Sequence, residues 1–226
     1  MPILISFVMP SLNEEKGIRN AIRSVPRRAL QAAGFETEIL IVDGGSSDRT
    51  VSRAQKAGAR VITSPRGYGR QYKKGFEEAQ GSIIVTGDSD GTYPFGDAPA
   101  YIDHLLQKDL EFITINRFGR IDPDAMGLTN RIGNWGLTLF TNLLFWNGIK
   151  DSQSGMWIIK KDVLPRLTLV SDGMPFSQEI KIEAFRKLRS AELPGSYCKR
   201  IGESKLERMN DGVKNLCQLL KKRIVG

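Results

Sequence analysis

Three short polar segments of the sequence carry the residue types that hold metal ions and phosphates. They read PSLNEE at residues 10–15, DGGSSD at residues 43–48 and DSDGTYP at residues 88–94. In the third, Asp88 and Asp90 have the spacing that suits a divalent cation which also carries substrate phosphates. Oxygen ligands favour Mg²⁺ or Mn²⁺, and such a cation would stabilise a leaving diphosphate as a Lewis acid. The simpler alternative is that these aspartates only cap helices and turns.

The elements around these segments indicate where they lie. Each segment follows an apolar run that we interpret as a buried strand, and the first precedes a helix with Glu14 and Glu15 in its first turn. Alternating strands and helices indicate a mostly parallel sheet, whose ligands bind at the carboxyl ends of the strands, so we expect the three segments at one edge. The predicted strands cover residues 3–9, 38–42, 60–63, 82–86 and 111–115, and the predicted helices residues 13–25, 47–57, 71–80 and a region around Leu105.

The second half of the chain is less regular. Its predicted elements are a long loop at 117–130, a helix at 132–145, a strand at 154–159, a helix at 178–187, a strand at 192–197 and a terminal helix at 210–224. The segment WGLTLFTNLLFW at residues 135–146 is apolar nearly all round. It predicts either a core helix or an interfacial helix, covering 132–146, whose aromatic side chains enter lipid; it is too short to span a bilayer.

Composition and charge narrow the class of protein. The 226 residues are 40% apolar and 26% charged, which is ordinary for a globular domain and argues against disorder. His104 is the only histidine and the two cysteines form no CxxC pair, which argues against zinc and favours a reducing cytoplasm. The N-terminal residues lack a basic leader and a small-residue cleavage site, so we expect no secretory signal. The net charge of +8 predicts an anionic partner: nucleic acid, a phosphorylated substrate or a membrane surface.

The three polar segments resemble those of glycosyltransferase family 2, within it the branch of dolichyl-phosphate mannose synthases and polyprenyl-phosphate glucosyltransferases. The resemblance continues in the family's order through GYGRQYKKGFEEAQG, INRF, DSQSGMW and SYCKRIGESKL, so it covers almost the whole chain. It implies a single α/β domain over 1–226 of the GT-A type, Rossmann-like and nucleotide-sugar-binding, with a mostly parallel mixed sheet. Residues 1–116 would be its nucleotide-binding half and residues 117–226 its acceptor half.

The resemblance also implies roles for the donor residues. Asp88 and Asp90 match the DxD pair, whose second member binds Mg²⁺ or Mn²⁺ beside the diphosphate. This chain departs from the family in having Gly44 after Asp43, where two aspartates are common, and Thr92 where some relatives have glutamine. The residues that match the base and ribose contacts are Pro10, Asn13, Glu14 and Asp43.

The remaining matches concern phosphates and acceptor. Arg117 and Arg131 match arginines that contact the phosphates of donor or acceptor. Asp151 is the candidate for positioning the acceptor or accepting a proton, with Glu179 behind it, although either carboxylate could instead be a structural ion-pair partner. The other matches are Gln153 and Ser154, beside acceptor and sugar, and Ser204 and Lys205, in a segment that closes over the diphosphate.

Together these observations predict a metal-dependent, inverting glycosyltransferase. It would move a hexose from GDP-mannose or UDP-glucose to dolichyl or another polyprenyl phosphate, in the cytoplasm or on the cytoplasmic face of a membrane. One alternative keeps the donor and uses a soluble saccharide or metabolite as acceptor. A second alternative is a basic nucleotide- or nucleic-acid-binding module without catalysis. Acidic pairs repel polyanions unless a metal intervenes, so we expect no nucleic-acid partner.

Overall fold

A computed structural model of the protein describes residues 2–122 and 124–202, together with Leu219, Lys222 and Arg223. The strands are β1 (Ile3–Ser11), β2 (Phe35–Asp43), β3 (Arg60–Thr63), β4 (Ile83–Thr86), β5 (Phe112–Ile121), β6 (Trp157–Lys160) and β7 (Ser190–Tyr197). The α-helices with described bounds are α1 (Ile18–Ser24), α2 (Arg27–Ala32), α3 (Thr50–Lys56), α4 (Tyr68–Glu78), α5 (Ala98–Gln107), α6 (Leu128–Phe145) and α7 (Phe176–Lys187).

The strands form one seven-stranded sheet in the order β3-β2-β1-β4-β6-β5-β7. Strands β3, β2, β1 and β4 run parallel, β6 is antiparallel to both β4 and β5, and β7 is parallel to β5. The predicted α/β class with a mostly parallel mixed sheet is therefore confirmed.

Two hydrophobic layers cover the two faces of the sheet, because successive strand side chains point to opposite faces. In β1, Phe7 and Met9 pack with α1, α2, α3 and α5, whereas Val8 packs with α4 and α7. The central strands are buried on both faces, as parallel strands covered by helices require. The burial of β1 and β2 extends to their carboxyl ends, where the polar segments begin.

The start of the first predicted helix is wrong. Strand β1 continues to Ser11, Asn13 adopts a left-handed φ of 51°, and α1 begins only at Ile18. The N–H groups of Asn13 and Glu14 donate to Ser46 Oγ and Thr50 Oγ1, which lie after β2. These contacts hold residues 13–14 against the neighbouring loop and keep the two glutamates out of the helix.

The long loop predicted at 117–130 is also wrong. Strand β5 runs to Ile121, because β7 extends alongside it and pairs Ser196 with Arg120. Helix α6 then begins at Leu128 and ends at Phe145, slightly earlier than the predicted 132–146. The predicted terminal helix lies largely outside the described residues.

Helix α6 packs only one narrow side against the rest of the described structure. Thr138, Thr141 and Phe145 are its buried side chains, and Phe145 contacts Ile182 and Leu219. The opposite side exposes a stripe of large apolar residues, between 43% and 88% accessible, which we call the α6 stripe: Leu128, Ile132, Trp135, Leu139, Leu143 and Trp146. None of the described helices is long and apolar enough to cross a membrane.

Candidate active site

The sheet brings the three polar segments to one edge, as expected from their positions after β1, β2 and β4. Ser11 lies opposite Asp43 in the pairing of β1 with β2. Ser89, between the two aspartates after β4, donates from Oγ to the carbonyl oxygen of Pro10 at 2.9 Å. Gln71 Nε2 donates to the carbonyl oxygens of Ser11 (2.9 Å) and Val42 (2.7 Å) and so ties the ends of β1 and β2 together.

The segments after β1 and β2 interlock through capping hydrogen bonds. Asp43 Oδ2 accepts from the N–H groups of Gly45 (3.0 Å) and Ser46 (2.9 Å), and Asn13 Oδ1 accepts from Ser47 N–H at 2.8 Å. Capping of turns therefore does account for these side chains. These hydrogen bonds also fix the shape of the two loops. The contacts to base and ribose stay predictions for Pro10, Asn13, Glu14 and Asp43.

The two aspartates after β4 form a crowded acidic pair. Asp90 is 4% exposed, and its Oδ1 accepts from Thr92 N–H (3.0 Å) and Thr92 Oγ1 (2.7 Å). Asp88 Oδ1 accepts from the Tyr68 hydroxyl at 3.2 Å. Burial and the neighbouring charge of Asp90 raise the pKa of Asp88 to about 7. A divalent cation would relieve this repulsion, so the pair fits a metal site.

The protein would supply only part of such a metal's ligands. Within the described part of the chain, no three His, Cys, Asp or Glu side chains are arranged so that they could hold a metal ion by themselves. Mg²⁺ and Mn²⁺ sites with one or two carboxylates are completed by substrate phosphates and water. The acidic pair is of this kind.

Arg200, which sequence reasoning missed, contacts one member of the acidic pair. Its Nη1 contacts Asp90 Oδ2 at 2.6 Å, and its Nη2 contacts Glu14 Oε1. The residue lies in SYCKRIGESKL, a segment whose match was used only for Ser204 and Lys205. Ser204 and Lys205 lie outside the described residues. The excess of cations in the segment was the signal in the sequence by which Arg200 could have been found.

Arg117 and Asp151 form a buried ion pair behind the acidic pair. Two parallel hydrogen bonds of 2.8 Å join the guanidinium to the two carboxylate oxygens, and Arg117 N–H donates to Oδ2 at 3.0 Å. Burial alone would raise the pKa of Asp151, but the Arg117 guanidinium outweighs burial and lowers this pKa to about 2. An oxygen pair so engaged is a poor proton acceptor, so the geometry favours positioning among the two predicted roles.

The backbone of Asp151 is held by two further charges. Lys181 Nζ, fully buried on α7, donates to the Asp151 carbonyl oxygen at 2.9 Å. Glu192 Oε1 accepts from Asp151 N–H at 2.9 Å and its Oε2 accepts from Lys150 N–H at 2.8 Å. Burial lowers the pKa of Lys181 to about 7. These contacts, together with Tyr197 under the Arg117 guanidinium at 5.2 Å, fix the orientation of Arg117.

The other predicted acceptor residues are placed differently from one another. Ser154 is fully buried, and its carbonyl oxygen accepts from Trp157 Nε1 and Ser177 Oγ, whereas Gln153 is half-buried and donates to Ser152 Oγ. Glu179 accepts from Ser171 N–H at 2.8 Å and pairs with Lys222 Nζ at 3.3 Å. Glu179 is thus engaged in a structural ion pair, the alternative role considered for it.

Arg131 lies at a separate cleft at the start of α6. The cleft has a volume of about 480 Å³ and is lined by Ile121, Met126, Gly127, Leu128 and Arg131. Arg131 Nε donates to the Met126 carbonyl oxygen at 3.1 Å. The lining therefore combines apolar side chains with one cation and adjoins the α6 stripe at Leu128.

Comparison with known proteins gives the class of this fold and site. The mostly parallel sheet, with an acidic pair at the carboxyl ends of its strands, has the architecture of the GT-A type glycosyltransferase fold. A family model described as glycosyl transferase family 2 matches residues 6–168. The chain belongs to glycosyl transferase family 2, and the resemblance of its motifs is confirmed.

Individual relatives extend the match. The low-salt glycan biosynthesis hexosyltransferase Agl6 of Haloferax volcanii is 37% identical over 92% of this chain, which spans only 51% of that relative. The dolichyl-phosphate hexose transferase of the same organism is 30% identical over 92% of this chain and 89% of its own. Glucosyl-3-phosphoglycerate synthase of Mycobacterium tuberculosis, solved with Mn²⁺, UDP and phosphoglyceric acid, is 22% identical with a TM-score of 0.78, covering 98% of this chain and 78% of its own.

Proposed function

We propose that this protein is a metal-dependent, inverting glycosyltransferase that moves a hexose from a nucleotide-sugar to dolichyl or another polyprenyl phosphate. The observation that carries the proposal is the acidic pair Asp88 and Asp90 at the carboxyl edge of the sheet, with the guanidinium of Arg117 close enough to influence the pKa of Asp88. GDP-mannose and UDP-glucose are the candidate donors. The dolichyl-phosphate hexose transferase relative supports the acceptor, since it aligns over most of both chains.

The chemistry follows from these charges. Asp88 and Asp90 would hold Mg²⁺ or Mn²⁺, which would stabilise the leaving nucleoside diphosphate. The related fold that was solved with Mn²⁺ and UDP supports this choice of metal. A phosphate acceptor is anionic near neutral pH, so no strong general base is needed. A single displacement at the anomeric carbon would invert its configuration.

Arginine suits the phosphates of both substrates, because its fork donates two parallel hydrogen bonds. Arg117 already uses one edge of its guanidinium on Asp151, which fixes the direction of the remaining N–H groups. Arg131 offers a second cation in the cleft beside α6, where apolar walls would suit a prenyl chain. Asp151 would act by positioning Arg117.

The α6 stripe supports the proposal that the enzyme acts at a membrane surface. Its members from Leu128 to Leu143 recur every three or four positions, which places them on one side of the helix, and Trp146 follows directly after the helix ends. Helices of this kind lie in the lipid interface with the apolar side chains buried among the head groups. A cytoplasmic site of action remains the prediction made from the sequence.

The experiment is a transfer screen with Mn²⁺ and the purified chain. GDP-mannose, UDP-glucose and UDP-GlcNAc are each paired with a short polyprenyl phosphate, a soluble saccharide and 3-phosphoglycerate, and products are identified by mass spectrometry. The proposal expects one donor to give a polyprenyl-linked hexose phosphate. Transfer only to a soluble acceptor would show that the acceptor is not a polyprenyl phosphate. An absence of both turnover and nucleotide binding would refute the enzymatic function.

A further inference from the structure

Arg200 bridges the two polar segments that follow β1 and β4. One end of its guanidinium contacts Asp90, after β4, at 2.6 Å, and the other contacts Glu14, after β1. The side chain is 25% exposed, and the carboxylates it joins are 5% and 10% exposed. One cation therefore lies between two largely buried carboxylates at the edge where the donor is proposed to bind.

The segment that carries Arg200 lies over the DSD loop, and we call residues 198–202 the strap. Cys198 N–H donates to the Thr92 carbonyl oxygen at 2.9 Å, and Ile201 N–H donates to that of Asp90 at 3.0 Å. The Ile201 side chain lies above Gly91, where an added Cβ would come within 3.2 Å of Ile201 Cδ1. The strap thus depends on the same short loop that presents the acidic pair.

Both carboxylate oxygens of Asp90 are engaged. Oδ1 accepts the two hydrogen bonds from Thr92, and Oδ2 contacts Arg200. A divalent cation that took Oδ2 would face a guanidinium within hydrogen-bond distance of the same atom, and the two positive charges would repel. Arg200 and a metal ion would therefore compete for this oxygen.

The fit of Arg200 at this place is incomplete. Its Nε is buried and has no hydrogen-bond acceptor among the described residues. A buried donor without a partner weakens the net contribution of a contact. The unpartnered Nε therefore makes the bridge weaker than a fully satisfied one and favours its replacement by a cation that binds Asp90 better.

We propose that Arg200 is a displaceable internal counter-ion, which competes with the divalent cation for Asp90, so that metal and donor binding release the strap from the DSD loop. The inference rests on the proposed function, because it takes Asp90 as a metal ligand. Its consequence is that, in the free protein, Arg200 stays paired with Asp90 and the strap stays bound to the DSD loop. Arrival of the metal with the nucleoside diphosphate frees both Arg200 and the strap.

The first test is a titration of Mn²⁺ alone, followed by the electron paramagnetic resonance of the free ion. Arg200→Gln is compared with wild type and with Lys199→Gln, which removes the same charge from an exposed neighbour on the strap. We expect R200Q to bind Mn²⁺ about fivefold more tightly than wild type and K199Q to differ from wild type by less than twofold. Equal or weaker binding by R200Q would overturn the competition.

The second test follows the strap itself and needs no variant. Hydrogen exchange at the amides of Cys198 and Ile201 is measured in wild type with and without Mn²⁺ and UDP or GDP. Exchange that accelerates at least threefold on addition of metal and nucleotide supports release, and unchanged or slower exchange refutes it. If nucleotide binds with Mn²⁺ while the strap stays protected, only this inference fails; if neither ligand binds, the proposed function fails with it.

Discussion

At the scale of single residues, the protein buries several charged side chains together, although charged side chains are seldom buried. Arg117, Asp151, Lys181 and Glu192 lie within one buried or half-buried network in which each acid faces a base. Removing one partner of a buried pair leaves the other uncompensated, which costs more than the pair contributes. The network therefore fixes the orientation of Arg117, and we expect substitution of any of its members to destabilise the protein.

Asp151→Asn tests this network. Arg117 would lose its counter-charge while remaining buried, and we expect the free energy of unfolding at pH 7 to fall by about 3–5 kcal/mol. Urea denaturation measures it. The matched control is Asp103→Asn on the exposed side of α5, for which a change below about 0.5 kcal/mol is expected. Equal effects of the two variants would contradict a special role for the pair.

Lys181 gives a dependence of stability on pH. Burial lowers its pKa to about 7 in the folded protein, against an ordinary value of 10.5. Between these values the unfolded chain binds the proton and the folded chain does not, so stability rises as pH increases from 7. We expect the wild type to gain about 2 kcal/mol more between pH 7 and pH 9 than Lys181→Met gains. Parallel curves for the two proteins in urea denaturation would show that Lys181 does not titrate in this range.

At the scale of elements, two helical glycines have opposite surroundings. A Cβ on Gly75 in α4 would come within 2.5 Å of Val8 Cγ1, whereas one on Gly136 in α6 would meet no atom within 4 Å. We expect Gly75→Ala to cost about 1–3 kcal/mol through overpacking against β1. Gly136→Ala should instead stabilise the protein by about 0.5–1 kcal/mol, because alanine favours helix. Thermal unfolding measures both variants. A stable Gly75→Ala would contradict the close packing of α4 on β1, and a destabilised Gly136→Ala would contradict the open surroundings of Gly136.

The α6 stripe makes a prediction about lipid. Replacing Trp135 and Trp146 by serine should reduce co-sedimentation with vesicles of anionic lipid at least about fivefold, since such binding grows with the apolar area buried in the interface. Leu106→Ser, which removes an exposed apolar residue from α5, should leave binding unchanged. Vesicle binding that survives the double substitution would assign the membrane contact to another surface.

How far the sequence predicts these elements depends on where their partners lie. Strands β1, β2 and β4 are apolar runs and are visible locally. Strand β5 continues through the segment RFGRI at 117–121, which has no continuous apolar run, because β7 pairs with it and Gly119 packs closely against Pro194. Helix α7 buries Gln178, Glu179, Lys181 and Glu183, so it has no amphipathic pattern by which its orientation could be predicted. Such non-local contacts are absent from the sequence pattern.

At the scale of the whole molecule, the site is an assembly of distant segments. The motifs place Asp88, Asp90 and Asp43 at strand ends, and the strand-end rule then brings them to one edge. Nothing local pairs Arg200 with Asp90, which lies 110 residues away, or Lys181 with Asp151, 30 residues away. Sequence reasoning therefore gives the fold, the edge, the acidic pair and Arg117, whereas the contacts of Arg200 and Lys181 require the three-dimensional structure.

The most direct test of the account measures polyprenyl-linked hexose formed from the donor that the screen selects. Wild type, Asp90→Asn and the exposed control Asp103→Asn are assayed with Mn²⁺ and with EDTA in its place. We predict product from wild type and D103N only when Mn²⁺ is present, and at least a hundredfold less from D90N, a loss of about 2.7 kcal/mol in transition-state stabilisation. Full activity in EDTA, or a D90N enzyme as active as D103N, would contradict a metal-dependent transferase centred on the acidic pair.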